Sequence, residues 1–325
     1  MNDRGGPSTS SSAKHPHLVP MVCLAGVVLL FSTVAPATKY VFQMSQLDPN
    51  ILACARVGIG FLFLLPATLV SDSRGLASLT WRHMVRLTAL GWLGVVSYAV
   101  AAWGLQYTTV SHYILIYSLI PTFTTIFGIC LGSHVLRPLT VVGVVCASLG
   151  CVIAISDNSM SADWTFNFGD ACALLYTVMM AAHMAWSGGI AKQFGVLTAN
   201  TVMFGMSFLV LLLVALVSGK QPGTMSFSLI GMVVYIGLAT VGAFMLRYRC
   251  LRSLAPATVA TYHNLIPICT ILLAHLSLDE PIDSHLVLGG LTILMGIELV
   301  RGNYELGPGW ARWMLSFKQK VSAVR

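Results

Sequence analysis

The stretch at residues 105–150 constrains the fold most, because the chain contains it twice. Shifted by 146 residues, it aligns without a gap with residues 251–296. A Leu-Ile-Pro motif and two glycines coincide: Leu119-Ile120-Pro121 with Leu265-Ile266-Pro267, Gly143 with Gly289, and Gly150 with Gly296. Glycines seven residues apart lie on one face of a helix and let another backbone approach closely. The repeat therefore predicts a protein built from two copies of one helical unit.

The composition indicates that lipid surrounds this protein. The 325 residues are 56% hydrophobic and only 9% charged, whereas a soluble domain has about 25% charged residues. The net charge of +7 is typical of basic residues that flank membrane helices, so nucleic acid is not an expected partner. The eight cysteines show no metal-ligand spacing, and we interpret them as small packing residues.

Ten apolar segments are candidates for membrane spans, each of which needs about 20 residues. They lie at about 18–43, 51–70, 84–105, 109–131, 138–155, 169–191, 197–218, 227–246, 256–278 and 285–301. The predicted domains are a disordered cytoplasmic tail (1–16), a first five-helix repeat (17–155), a periplasmic or extracellular linker (156–168), a second five-helix repeat (169–301) and a basic cytoplasmic tail (302–325).

The basic residues predict the orientation. With the N-terminus in the cytoplasm, most of the 18 Lys and Arg residues fall on the cytoplasmic side, as the positive-inside rule requires. Both termini are then cytoplasmic, in a multi-pass protein of the inner (plasma) membrane. Because each unit has an odd number of spans, the two units sit upside down relative to each other. The predicted fold class is an all-α integral membrane protein with ten transmembrane helices, as two inverted five-helix repeats around a central cavity.

The repeated Leu-Ile-Pro and glycine motifs resemble those of the drug/metabolite transporter superfamily, in its ten-helix branch of two EamA-type repeats. The resemblance covers about residues 18–301 and is carried by Gly104-Leu105, Leu119-Ile120-Pro121, Gly143, Gly150, Leu251, Leu254, Ala257, Leu265-Ile266-Pro267, Asp279-Glu280-Pro281, Gly289 and Gly296. The family often has a Glu just after the fourth and ninth helices; Glu280 fits the second position, whereas His134 occupies the first. The resemblance implies a secondary transporter, in our interpretation an exporter, of amino acids, metabolites, drugs or other small solutes.

Other motifs favour no competing class. The chain has no GxxxxGK[ST] and no HExxH motif, so we expect neither ATP-driven transport by this chain, nor an enzyme, nor a cofactor. Two alternatives stay open: a passive facilitator or channel, and a structural or regulatory membrane protein that does not transport. The expected partners are a small-molecule substrate and the lipid bilayer, with protons as a candidate coupling ion. The oligomeric state is open.

Polar side chains within the spans are candidates for a substrate site, because they are costly in lipid and should face an interior. Two polar clusters precede the repeated prolines, which are expected to break or bend their helices. The predicted substrate-binding residues are Tyr113, Tyr117, Tyr176, His183, Tyr262, His263, Asn264 and Arg56. His183 and His263 are also proton candidates, since imidazole titrates near neutrality; Asp170 and Glu298, at span ends, are further ones. The alternatives are hydrogen bonding between helices and, for Arg56, snorkelling to the interface or pairing with a carbonyl.

Overall fold

The computed structural model describes residues 18–130, 138–155, 166–187, 193–220, 225–253 and 265–305. Within these residues the regular structure is helical throughout. The helices of the first half are α1 (Leu18–Met44), α2 (Pro49–Ser71), a short α3 (Ser73–Ala77), α4 (Trp81–Gly91), α5 (Ser97–Tyr107), α6 (Val110–Tyr117), α7 (Ile120–Cys130) and α8 (Pro138–Ile155). Those of the second half are α9 (Phe168–Ser187), α10 (Val196–Val217), α11 (Phe227–Ser253), α12 (Leu265–Leu278) and α13 (Ser284–Glu305).

The apolar helices confirm a multi-pass membrane protein. Seven segments of the described chain are long and apolar enough to cross a membrane: Val22–Met44, Pro49–Ser71, Trp81–Tyr107, Val110–Gly128, Phe168–Trp186, Val196–Val217 and Phe227–Arg247. Three shorter apolar helices are Pro138–Ala154, Leu265–Leu278 and Ser284–Leu299. These three coincide with the remaining predicted spans, so the total of ten spans stays a prediction.

A π-helical turn lies inside the third apolar segment. Trp92–Val96 joins α4 to α5 without a break. A π turn shifts the backbone hydrogen bonds by one residue and leaves a carbonyl to find another partner. The carbonyl oxygen of Leu90 has a side-chain partner, because the Nδ1 of His183 lies 3.0 Å from it.

The start of α2 is fixed by a cap and an ion pair. The Asp48 carboxylate accepts a hydrogen bond from the Asn50 N–H (2.8 Å) and another from Lys220 Nζ (2.7 Å). Burial raises the pKa of Asp48, but these two hydrogen bonds and the Lys220 charge outweigh it and hold that pKa below its ordinary value. The ion pair ties the start of α2 to the segment after α10.

Helix packing follows the repeat. Under the 146-residue shift, α1 corresponds to α9, α2 to α10, the continuous α4–α5 helix to α11, and α8 to α13. α1 packs on α11, and equivalently α9 packs on α5. α2 packs on α10, and α8 packs on α13, so each of these helices contacts its own repeat equivalent. The packing is therefore nearly unchanged when the two halves are exchanged.

The repeated glycines form the contact between α8 and α13, which we call the glycine seam (Gly143, Gly150, Gly289 and Gly296). A Cβ added at Gly150 would lie 2.8 Å from the Gly289 carbonyl oxygen, and one at Gly296 would lie 2.7 Å from that of Gly143. Residue numbers rise along one helix as they fall along the other, so the two helices run antiparallel. The close backbone approach predicted for these glycines is confirmed.

The contact between α2 and α10 is also antiparallel. A Cβ at Gly58 would lie 2.7 Å from the ring of Phe208, and one at Gly205 would lie 2.7 Å from the ring of Phe61. The two phenylalanine rings stack with their centroids 6.3 Å apart. Each helix thus supplies a glycine on which a phenylalanine of its repeat equivalent rests.

A helix interruption lies directly before Pro121. α6 ends at Tyr117 and α7 begins at Ile120, and the Ser118 Oγ donates a hydrogen bond to the carbonyl of Leu115 (2.6 Å). Pro121 is the second residue of α7, where its missing N–H leaves no intrahelical bond unmade. The interruption predicted there is confirmed. The matching prediction for the second half falls on residues 254–264, which lie outside the described residues.

Candidate functional site

A cavity lies beside the interruption between α6 and α7. The cavity has a volume of about 40 Å³ and is partly open to the outside. It is lined by Phe31, Val34, Ala35, Arg56, Leu105, Tyr113, Ile114, Tyr117, Tyr176 and Ile266. These residues belong to α1, α2, α5, α6, α9 and α12, so both halves of the chain contribute.

Three tyrosines form one side of the cavity, which we call the tyrosine wall (Tyr113, Tyr117 and Tyr176). Their ring centroids are 5.8–6.4 Å apart, and their planes lie within 14–17° of each other. Tyr113 and Tyr117 are one turn apart on α6 and so share a face. The wall offers an apolar surface with phenolic hydroxyl groups, which suits a small solute with apolar and polar parts.

Arg56 supplies the cationic group of the cavity. Its side chain is 9% exposed, its Nε donates a hydrogen bond to Thr240 Oγ1 (2.9 Å), and its guanidinium carbon lies 4.0 Å from the centroid of the Tyr98 ring. Tyr98 in turn packs against Tyr176 at 6.2 Å. Arg56 is therefore held at the cavity by a hydroxyl and an aromatic face.

Two matches to one family model cover most of the sequence. The model of the EamA-like transporter family matches residues 19–156 and again residues 167–302. The chain belongs to the EamA-like transporter family. The predicted resemblance is thereby confirmed, and the protein is a membrane transporter whose partners are small molecules and the surrounding lipid.

Proteins similar to this EamA-like transporter align with most of its chain. An uncharacterized transporter of Archaeoglobus fulgidus is 26% identical over 263 residues, 79% of this chain and 89% of the relative. The uncharacterized transporter YdeK of Bacillus subtilis is 25% identical over 281 residues, 84% of this chain and 94% of the relative. A crystal structure covers 86% of this chain and 95% of its own, with a TM-score of 0.62 and 18% identity, and shows that the fold is shared.

The structure brings together four of the eight predicted site residues. Tyr113, Tyr117, Tyr176 and Arg56 line the cavity. His183 does not line the cavity. The residue is 2% exposed, and its Nδ1 is within hydrogen-bond distance of the Leu90 carbonyl oxygen. Its ring also packs against Gly94, where there is no room for a Cβ. The three others, Tyr262, His263 and Asn264, lie outside the described residues.

Several other residues around the cavity were not among the predicted site residues. Thr240 and Tyr98 hold Arg56 in place, and Phe31, Val34 and Ala35 form an apolar side on α1. The spacing of the last three fits one helix face. However, α1 is apolar all round, so the pattern could not distinguish a cavity face from a lipid face.

One end of the site is joined across the two halves by Glu280. Its Oε1 accepts a hydrogen bond from the Val110 N–H (2.7 Å), and its Oε2 accepts from the Ser111 N–H (3.0 Å) and hydroxyl (2.8 Å). A carboxylate is stabilised at a helix N-terminus by the unpaired N–H groups and the helix dipole. Nearby, Lys39 Nζ donates to the carbonyls of Leu105 (3.0 Å) and Thr108 (2.7 Å).

Replacing Glu280 with alanine is expected to lower the melting temperature of the purified protein. The change removes the acceptor for three hydrogen bonds, and a hydrogen bond to a charged group is worth about 1.5–3 kcal/mol. All eight cysteines are free thiols, so a thiol-reactive fluorescent dye can follow thermal unfolding in detergent. Asp279→Asn is the matched control, since it removes the adjacent charge and keeps a residue that tolerates the positive φ of 54° found there. Equal melting temperatures of the two variants would contradict the role of Glu280.

Proposed function

We propose that this EamA-like transporter is a secondary transporter that moves small organic solutes by alternating access, in the direction of export. The solute binds between Arg56 and the tyrosine wall. The observation that carries this proposal is the position of the cavity, beside an interrupted helix and between helices of both halves. Secondary transporters built from two repeats typically bind their substrates at such discontinuous helices near the middle of the membrane.

The proposed architecture has ten spans in two inverted repeats, at residues 17–155 and 169–301, with both termini in the cytoplasm of the inner membrane. Two observations support the inversion. α8 and α13 are repeat equivalents and run antiparallel in contact, and so are α2 and α10. Two equivalent helices that point in opposite directions are expected only if one half is upside down relative to the other.

The same architecture suggests how access alternates. The charge pattern predicts that Glu280 lies on the non-cytoplasmic side. Its bonds to Val110 and Ser111 then hold the two halves together on that side. Opening outward requires these bonds to break as one half rocks against the other.

Residues directly before α12 complete the proposed site. Tyr262, His263 and Asn264 are proposed to face the cavity, with His263 as the repeat equivalent of Tyr117. Protonation of His263 would then change substrate affinity and give protons a route to drive transport. Among the described residues, the placement of His183 against Leu90 and Gly94 favours a packing role over proton transfer.

Counterflow in proteoliposomes tests the transport proposal. Vesicles with purified protein are preloaded with one unlabelled solute from a panel of amino acids, amines, carboxylates and drugs, and the uptake of the same labelled solute is followed. A carrier exchanges internal unlabelled solute for external labelled solute, because its site reorients with solute bound. The labelled solute therefore accumulates transiently inside the vesicles. A channel gives no such accumulation. Equal uptake with and without preloading, for a solute that crosses only when the protein is present, would reject the carrier.

The topology is expected to place residues 160 and 252 on opposite sides of the membrane. The measurement is labelling of Met160→Cys and Arg252→Cys, each in a variant lacking the native cysteines, with an impermeant maleimide in intact cells. Met160→Cys should react from outside, and Arg252→Cys only after the membrane is made permeable. Labelling of both from the same side would overturn the inverted repeats.

A further inference from the structure

The surroundings of Arg56 restrict the charge of the solute. A guanidinium group has five N–H donors, and the Nε donor is used by Thr240. The Tyr98 ring covers one face of the group. The structure gives the terminal N–H groups no protein acceptor in the described part of the chain, and the side chain forms part of the cavity surface. These donors are therefore available to a solute.

No carboxylate neutralises Arg56 among the described residues. Asp48 pairs with Lys220, and the Asp170 carboxylate lies 3.9 Å from the His112 ring. A buried cation without a counter-ion is costly, and an aromatic face compensates only part of that cost. An anion that enters the cavity relieves it, whereas a cation is repelled. The planar guanidinium also matches a carboxylate in a bidentate arrangement.

The rest of the described lining is neutral. The tyrosine wall lies on one side, and apolar side chains such as Phe31, Val34 and Ile266 complete the lining. Arg56 is the one charged residue among the lining residues that the structure describes. The described lining thus has a place for an anionic head and an apolar body, and no acidic side chain to receive an ammonium group.

We propose that this cavity selects small organic carboxylates with an apolar or aromatic body, the carboxylate binding Arg56 and the body packing against the tyrosine wall. The proposal rests on the proposed function in taking this cavity as the transport site. It adds the charge and the chemical class of the solute.

Three compounds with one phenylpropyl skeleton test the charge. They are 3-phenylpropionate, 3-phenylpropionamide and 3-phenylpropylamine, which are anionic, neutral and cationic at pH 7. Their binding to the purified full-length protein is measured as a concentration-dependent rise in melting temperature. We expect 3-phenylpropionate to bind about tenfold more tightly than the other two or better, as one charge-assisted hydrogen-bond pair would give.

Variants assign the preference to Arg56. Arg56→Met removes the charge and keeps most of the volume, and it should abolish the preference for the carboxylate. Arg56→Lys keeps a positive charge without the paired N–H groups of the guanidinium. It should retain part of the preference for the carboxylate. Lys39→Met is the matched control, because Lys39 is another cation of a membrane helix but its Nζ binds the backbone carbonyls of Leu105 and Thr108. This control should keep the parent preference.

Binding and transport are scored separately. The proposal is overturned if the amide or the amine stabilises the parent protein as well as the carboxylate does, if none of the three does, or if Arg56→Met keeps the preference. If the carboxylate binds through Arg56 but shows no counterflow in proteoliposomes, the proposed transport function fails while the assignment of the site stands.

Discussion

Replacing Gly296 with alanine is expected to disrupt the packing of α8 against α13 and to lower the yield and melting temperature of the folded protein sharply. The added Cβ would lie 2.4 Å from the backbone nitrogen of Ala147 and 2.7 Å from the carbonyl oxygen of Gly143. Backbone atoms cannot rotate away as a side chain can, so the two helices must separate along the seam. Overpacking costs about 1–3 kcal/mol, and here the loss extends over the neighbouring contacts of the seam.

Gly290→Ala in the same helix is the matched control. Its Cβ would meet only the Leu115 side chain, at an ordinary contact distance of 3.5 Å. Alanine is also the better helix former by about 0.5–1 kcal/mol. The control should be as stable as the parent or more so, and the two variants should therefore shift in opposite directions in fluorescence-detected size-exclusion chromatography and thermal unfolding. A Gly296→Ala protein as stable as Gly290→Ala would refute the seam.

The second large effect is expected at Asp170, whose side chain is fully buried at the start of α9. One carboxylate oxygen accepts a hydrogen bond from the Thr108 hydroxyl (2.5 Å), and the other accepts from the Asn167 N–H (3.1 Å). The Asp170 N–H donates in return to the Asn167 side chain (3.0 Å), which makes a reciprocal helix cap. Asp170→Ala removes the cap and leaves a buried hydroxyl without its acceptor, at a cost of about 2–4 kcal/mol.

A double-mutant cycle with Thr108→Val separates the parts of this effect. Thr108→Val removes the hydroxyl, so the cost of Asp170→Ala should be smaller in that background than in the parent protein. Thermal unfolding in detergent, followed with the thiol dye, gives the four melting temperatures. Strictly additive shifts would show that the Thr108–Asp170 bond does not stabilise the fold.

The features of the fold that could be predicted from the sequence are those that depend on the geometry of a single helix. A close backbone approach at the glycines of the seam was predicted because a spacing of seven puts glycines on one helix face. The interruption before Pro121 was predicted because proline lacks a backbone donor. Both are properties of the chain within a helix, and they need no knowledge of which helices become neighbours.

The structure brings predicted site residues together where they lie one turn apart and separates them where they only share a helix face. Tyr113 and Tyr117 are one turn apart, and both line the cavity. Tyr176 and His183 share a face of α9, but seven residues span about 10 Å, so His183 meets Leu90 and Gly94 instead. The partner of Arg56 depends on α2 meeting α11, which no local pattern in the sequence reveals.

The seam between α8 and α13 has a consequence for how such a chain can assemble. Because each helix presents equivalent glycines to the other, the contact is self-complementary, like the interface of a two-fold symmetric homodimer. A single half of the chain carries one complete side of that interface. A separate half could therefore dimerise with an antiparallel copy of itself. Joining both halves in one chain makes the same association intramolecular and raises its effective concentration.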